Sequence, residues 1–523
     1  MDEMKTEVRP VPPNPLARRK SILMKAEIGR VITRPYLPSS EERIRKIIKR
    51  VLSMDEMEAC TLLETVLHDF SHRHRYFRQS LERNFERVAG FVPDIDQVSK
   101  QRRLLIGTYF TAEYSVEAAA FFNPSIVQVA NQETDPEGSC RFVMSFRATG
   151  EGHISSIEFR SGIIDSNNDI YFDALSDYVD TPQIHPNPSY DRHLFQLKLQ
   201  EMGASNAVTH QLLNQLPDNF TFNDLRGKIA ELQNNGQFLP QEKKDAIDMA
   251  MWLAQSNYQI LFRKDHPISE RVIFPVSETE RKVIEDARFV RFIDDDGTVT
   301  YYATYTAYNG ETILPQLIET CDFLSFTVIT LNGAEVQGKG MALFPRKIRG
   351  KYVMLSRQDG ENNAIMFSDN LHFWQQAQIL QEPEFPYEFI QMGNSGSPIE
   401  TPEGWLVITH GVGPMRTYSL GIELLDLEDP TRIISRIDEP ILVPNAHERE
   451  GYVPNVVYSC GALIHQDELI IPYASGDQRC GIVTLQVTQV MARLAASNSS
   501  NPVSMTAPTR PRGHPAVQAL PPT

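Results

Sequence analysis

The chain has 523 residues, 41 % hydrophobic and 23 % charged, with 51 Lys+Arg against 67 Asp+Glu and a net charge of −16. That balance excludes wholesale disorder and a bulk electrostatic grip on nucleic acid or anionic lipid. No stretch approaches the roughly 18 uninterrupted apolar residues of a membrane-spanning helix, and the polar, proline-rich start MDEMKTEVRPVPPNP lacks a signal core, so a soluble cytoplasmic protein is expected.

Residues 1 to about 40 read as an extended arm. Pro38-Ser39-Ser40-Glu41-Glu42 predicts a helix start, since serine caps the free N–H groups and the glutamates suit the helix dipole. Helical periodicity continues through MEACTLLETVLHDF and FRQSLERNFERVAGF to Val92-Pro93, within a helical extension placed at 1–105. Short β-rich runs then dominate a domain placed at 106–490. They are interrupted by a helical insertion at about 190–263 (DRHLFQLKLQEMG, VTHQLLNQL, KKDAIDMAMWLAQSNYQILF). Residues 491–523 lack apolar periodicity and are expected to form a disordered tail. The helical regions are candidate surfaces for self-association. Five scattered cysteines (Cys60, Cys140, Cys321, Cys460, Cys480) contain no C-x-x-C pair, which fits reduced thiols rather than a disulfide scaffold or zinc ribbon.

Five aromatic and β-branched runs end in small or turn-forming residues: RFVMSFRATG, YYATYTAYNG, KYVMLSRQDG, GWLVITHGVG and ELIIPYASGD. Four of them start at 301, 351, 404 and 468, steps of 50, 53 and 64, while D-x-L-x-F recurs at 322 and 369. Repetition near this period with several strands per unit predicts a mainly β fold, a five-bladed β-propeller, over an irregular sandwich.

In such a ring the inner strands gather polar side chains at one axis. Glu285, Asp286, Arg288, Arg346, Lys347, Arg357, Asp359, His410, Arg416, Tyr418 and Asp477 lie in or beside the recurrent strands. Carboxylates and aromatics there suit a sugar, and cations suit phosphate. Other motifs receive plainer readings. MGNSGSP with Ser395 resembles a serine-protease nucleophile segment but lacks the earlier histidine-bearing segment, so a turn between strands is preferred. His68, His72 and His74 are read as a basic helix face rather than a metal site, and Asp294–Gly297 as a hairpin turn.

NPSIV before FRATG, IEDARF before YYATYTAY, LFPRKIRGKYVMLSR, GWLVITHG, and the long LGIELLDLEDPTRIISRIDEPILVPNAHEREGYVPNVVYSCG together resemble glycoside hydrolase family 130. The resemblance implies a five-bladed propeller that cleaves β-mannosides with inversion, mostly by phosphorolysis to mannose 1-phosphate. It implies that Asp286 is the general acid, acting through a hydroxyl of the mannosyl ring. Asn123, Arg147, Glu285, Arg288, Tyr305 and Asp477 fall among sugar-binding positions, and Lys339, Lys347, Arg357, His410 and Tyr418 among phosphate-binding ones. Inorganic phosphate is then a co-substrate, with no metal or cofactor implied, and a small carbohydrate is the partner. One departure stands out. Glu400 occupies the place aligned with a lysine common in phosphorylases, which makes hydrolysis with Glu400 as base the alternative. A non-catalytic carbohydrate-binding propeller is the third reading.

Overall fold

The computed structural model describes residues 16–233, 240–276, 280, 283–308 and 313–500. Among them the fold is mainly β, with helices at the start, in the middle and at the end.

Five sheets of four to six strands are present among the described residues. Sheet I runs Ala120–Gln128, Cys140–Thr149, Ser155–Ile164 and Val272–Ile273, with Ile170–Phe172 on its third strand. Sheet II begins Val283–Ile293, Val299–Tyr308, Ile313–Thr320 and Ser325–Thr330, then takes Tyr258–Leu261 and Gln183–Pro186. Sheet III is Lys339–Leu343, Tyr352–Arg357, Asn363–Ser368 and Ala377–Gln381. Sheet IV is Gln391–Asn394, Gly404–Val412, Tyr418–Leu425 and Ile433–Arg436, with Ile399–Thr401 on its second strand. Sheet V is Val457–Tyr458, Glu468–Ser475, Arg479–Gln486 and, from the other end of the chain, Arg18–Met24, with Leu463–His465 on its second strand.

The second strands are buried on both faces; all nine residues of Gly404–Val412 are buried, so they read as continuous apolar runs rather than as alternation. Hydrogen bonds from strands and adjoining loops link the sheets in turn. Phe289 N donates to Ser125 Oγ (3.0 Å), Thr304 Oγ1 to Met341 O, Asn394 Nδ2 to Gly340 O (2.6 Å), Tyr418 N to Asn455 O (3.0 Å), and Cys460 N to Pro124 O (2.9 Å), which returns to sheet I.

The first helix is Glu41–Leu52, with Ser40 Oγ accepting from Arg43 N, as the sequence predicts. Helices Glu56–Phe70, Phe77–Glu86 and Lys100–Tyr109 pack with it through Leu63, Leu81, Leu105 and Phe110. The last of these, capped by Ser99, lies beyond the helical stretch read to Val92-Pro93. Arg75 clamps this bundle to Glu270 (Nε to Oε2, 2.8 Å), and buried Arg30 pairs with Glu117 and Glu158 at sheet I. The insertion forms helices Arg192–Glu201, Ala207–Asn214, Phe222–Gln233 and Pro240–Gln255 around their own core. The final helix, Val487–Ser500, enters the stretch expected to be disordered from 491, because Val490 and Leu494 are buried against sheets IV and V. The rest of that stretch lies outside the described residues.

No helix among the described residues is long and apolar enough to cross a membrane. The three histidines part company: the helix ends at Phe70, His68 faces Asp69, and His74 Nε2 meets Glu113 Oε1 at 2.8 Å. Ser395 is buried where its strand ends, its N–H donating to Ile408 O. Asp294–Gly297 closes a hairpin, with Gly297 at φ +83° and its N–H on Asp294 O (2.9 Å).

Candidate functional site

Three of the first strands carry a register shift at the same relative place: between Phe122 and Ser125, between Glu285 and Arg288, and between Lys339 and Ala342. Each holds one residue in the left-handed region, Asn123 at φ 50°, Asp286 at 52° and Gly340 at 82°. A bulge turns a side chain out of the pleat, and asparagine, aspartate and glycine tolerate that backbone best. Asp477 has φ 50° in the turn between two strands of sheet V. The side chains of Asn123, Asp286 and Asp477 therefore aim where ordinary alternation would not.

Asn123 Nδ2 donates to Asp286 Oδ1 at 2.7 Å, and Arg147 Nη1 lies 3.7 Å from the same oxygen. Arg147 Nη2 is 3.5 Å from Glu285 Oε1, whose partner Oε2 meets Lys339 Nζ at 2.5 Å. Arg147 is held by Ser155 Oγ (3.2 Å) and stands over the Phe122 ring. The Asp286 side chain remains 19 % exposed, reachable by a ligand.

Asp477 belongs to this acidic group. Burial, then the neighbouring Asp286, push its carboxyl up to about 6 against the pull of Arg147 and Arg416. In the folded protein Asp477 therefore keeps its proton to about pH 6, whereas an unfolded chain releases it near 3.8. Its contribution to stability is full below 3.8 and is lost as pH rises through about 6, leaving a cost of about 3 kcal/mol at higher pH. Asp477→Asn is expected to raise Tm at pH 8 while reducing activity, with the gain fading towards pH 4; thermal denaturation across that range checks it, and an equal gain at both ends refutes it.

The second group gathers on sheets III and IV. His410 Nδ1 faces Asn394 O at 3.0 Å, so it carries the proton, and Nε2 accepts from Arg357 Nη1 at 3.2 Å. Burial, then Arg357 and Arg288, hold His410 well below its usual range, so it stays neutral. With its amide turned to satisfy both its oxygen and its nitrogen, Gln391 accepts through its oxygen from Arg357 Nη1 (3.1 Å) and Tyr418 OH (3.2 Å). Gly393 makes room: a Cβ there would fall 2.9 Å from His410 Cε1. Tyr418 stacks on His410, with ring centroids 6.2 Å apart.

Between the groups stands Arg288, 3 % exposed, donating Nη2 to Tyr458 OH (2.6 Å) and Nη1 to Asp286 O (3.3 Å). It lies beneath the bulge rather than in reach of a sugar.

Three sequence-predicted residues are not brought to this cluster. Glu400 is in a bidentate pair with Arg346 (2.9 and 2.7 Å) and lies opposite Trp405, five residues along the strand from His410, about 16 Å. Lys347 is drawn to Asp294 (2.7 Å) at the hairpin, eight residues from Asp286, about 25 Å. Lys347 lies in the loop beyond Lys339–Leu343 and Glu400 in the short strand Ile399–Thr401, both in charge pairs away from the cluster. Tyr305 is 3 % exposed in the core between sheets I and II, its hydroxyl on Glu280 and 3.1 Å from Gln316 Oε1, so it offers no face to a sugar. Sequence reasoning missed Tyr458, Gln391 and Asn394. Tyr458 lies within VVYSCG, part of the family-like segment, but nothing in its spacing marked it.

Comparison with known proteins gives three findings. The family model described as beta-1,4-mannooligosaccharide phosphorylase matches residues 241–495, which include Asp286, Arg357, His410 and Asp477 but neither Asn123 nor Arg147. The chain is 36 % identical over 220 residues to a 1,2-beta-oligomannan phosphorylase of Thermoanaerobacter sp. (strain X514), covering 41 % of this chain and 72 % of that protein. It is 36 % identical over 212 residues to a beta-1,2-mannobiose phosphorylase of the same organism, covering 40 % and 68 %.

Proposed function

Because the chain belongs to glycoside hydrolase family 130, we propose that it is an inverting phosphorylase of β-mannosides, releasing mannose 1-phosphate. The observation that carries the reading is the juxtaposition, across Arg288 and Tyr458, of a carboxylate cluster centred on Asp286 and a cation-bearing pocket of Arg357 and His410. Asn123, Arg147 and Asp477 hold the mannosyl ring, and Asp286 supplies the proton for the leaving oxygen by way of a sugar hydroxyl. Phosphate, held by Arg357 with His410, Tyr418 and Lys339 beside it, attacks the anomeric carbon from the opposite face. With no enzyme nucleophile between donor and acceptor, one displacement inverts the centre. The relatives' activity as phosphorylases supports phosphate over water, and the pairing of Glu400 with Arg346 leaves hydrolysis without its supposed base.

We read the five sheets as blades about one axis. The support is the cycle of hydrogen bonds that returns from sheet V to sheet I. The catalytic domain then spans 106–490, completed by Arg18–Met24 from the extension. Five free thiols fit a cytoplasmic setting.

Incubating the full chain with a panel of β-mannobioses, with and without inorganic phosphate, tests the reading. Mannose 1-phosphate formed only with phosphate is expected. Free mannose at equal rates in both arms would instead make the protein a hydrolase, and no product would leave a binding propeller.

A further inference from the structure

A buried guanidinium without a carboxylate partner is costly unless its N–H groups are bonded. Arg288 is in that position: among the described residues no carboxylate pairs with it, and its Nε has no acceptor. Among the described residues, Tyr458 OH and the Asp286 carbonyl accept its hydrogen bonds. That carbonyl belongs to the residue whose left-handed backbone presents the reacting carboxylate. The Tyr458 ring meets His410 edge-on, with centroids 5.0 Å apart and an interplanar angle of 67°, and Tyr418 at 6.4 Å. One side chain thus touches both halves of the site, through its hydroxyl on the acid side and its ring on the cation side.

We propose that Tyr458 is a positioning residue, its hydroxyl locking Arg288 so that the Asp286 bulge stays aimed at the sugar while its ring walls the His410 pocket. The inference rests on the assignment of Asp286 as proton donor. Removing the hydroxyl frees a buried cation and slackens the Asp286 carbonyl, but leaves the ring beside His410. A misaimed acid slows the chemical step without weakening phosphate binding.

The test is steady-state kinetics on Tyr458→Phe, Arg288→Lys and the double variant, with thermal denaturation of each. Tyr458→Phe is expected to lower kcat about tenfold, the worth of one hydrogen bond to a charged group. The KM for phosphate should stay within about twofold. In the Arg288→Lys background the same change should add almost nothing, because both act through one contact. Unchanged kcat in Tyr458→Phe, losses that multiply in the double variant, or a raised phosphate KM with kcat intact would each overturn the proposal. Should Tyr458→Phe not fold, Arg288→Lys decides: a folded protein with reduced kcat supports the lock, and wild-type kcat removes it. Asp286→Asn run in parallel separates the two readings. If that variant stays fully active the proton-donor assignment falls, whereas an inactive Asp286→Asn beside a fully active Tyr458→Phe refutes only the lock.

Discussion

Asp286→Asn is expected to lower kcat for mannobiose phosphorolysis by about 10²–10⁴-fold, the range of a lost general acid, and to leave sugar binding within a few-fold. Asparagine matches aspartate in shape and tolerates a positive φ, so the bulge at 52° survives. Its amide oxygen still accepts from Asn123 Nδ2, at the place where the carboxylate does so at 2.7 Å. What disappears is the exchangeable proton. Initial rates with phosphate, together with calorimetric titration of the mannobiose, separate the two effects. Retention of more than about a tenth of the wild-type rate would mean that another group protonates the leaving oxygen.

Arg357→Gln should act on the other half of the reaction. The KM for phosphate should rise by about 10–100-fold, since a hydrogen bond to a charged group is worth about 1.5–3 kcal/mol, while the KM for the mannoside holds. Arg357 is poised by His410 Nε2 and by the Gln391 oxygen, so glutamine at this position lacks both the charge and the reach. Rates against phosphate concentration at saturating mannobiose check it; a phosphate KM unchanged in this variant would place the anion elsewhere, with Lys339 the next candidate. The two substitutions should therefore fail in different parameters, which no global loss of stability can imitate.

Much of this arrangement is legible in the chain itself. Ser40 before two glutamates marks the first helix, and the strand runs with their recurring turns mark the β region, because both signals are local. IEDARF, KYVMLSR and GWLVITHG bring Asp286, Arg357 and His410 into view by family likeness. What the sequence hides is direction. Lys347 and Glu400 look like cations and bases near the right segments, yet Lys347 lies in the loop beyond Lys339–Leu343 and Glu400 in the short strand Ile399–Thr401, both away from the cluster, where Asp294 and Arg346 neutralise them. Strand periodicity says which face a side chain takes, not how far along the strand the axis lies. Tyr305, placed by the resemblance among sugar-binding positions, packs between two sheets, and its strand sequence does not tell such a ring from one lining a pocket. The left-handed turns at Asn123, Asp286 and Asp477 depend on register with neighbouring strands, which no local pattern records.

The strand Arg18–Met24 lies at the edge of sheet V, paired to Arg479–Gln486, while Arg19 reaches Glu448 and Val443 O. Asp477 sits in the hairpin that this pairing braces. A nascent chain leaving the ribosome therefore carries Arg18–Met24 without this partner until Arg479–Gln486 has been made, and the reaction centre matures only with sheet V. Removing the first two dozen residues would strip support from the far terminus rather than trim a decoration.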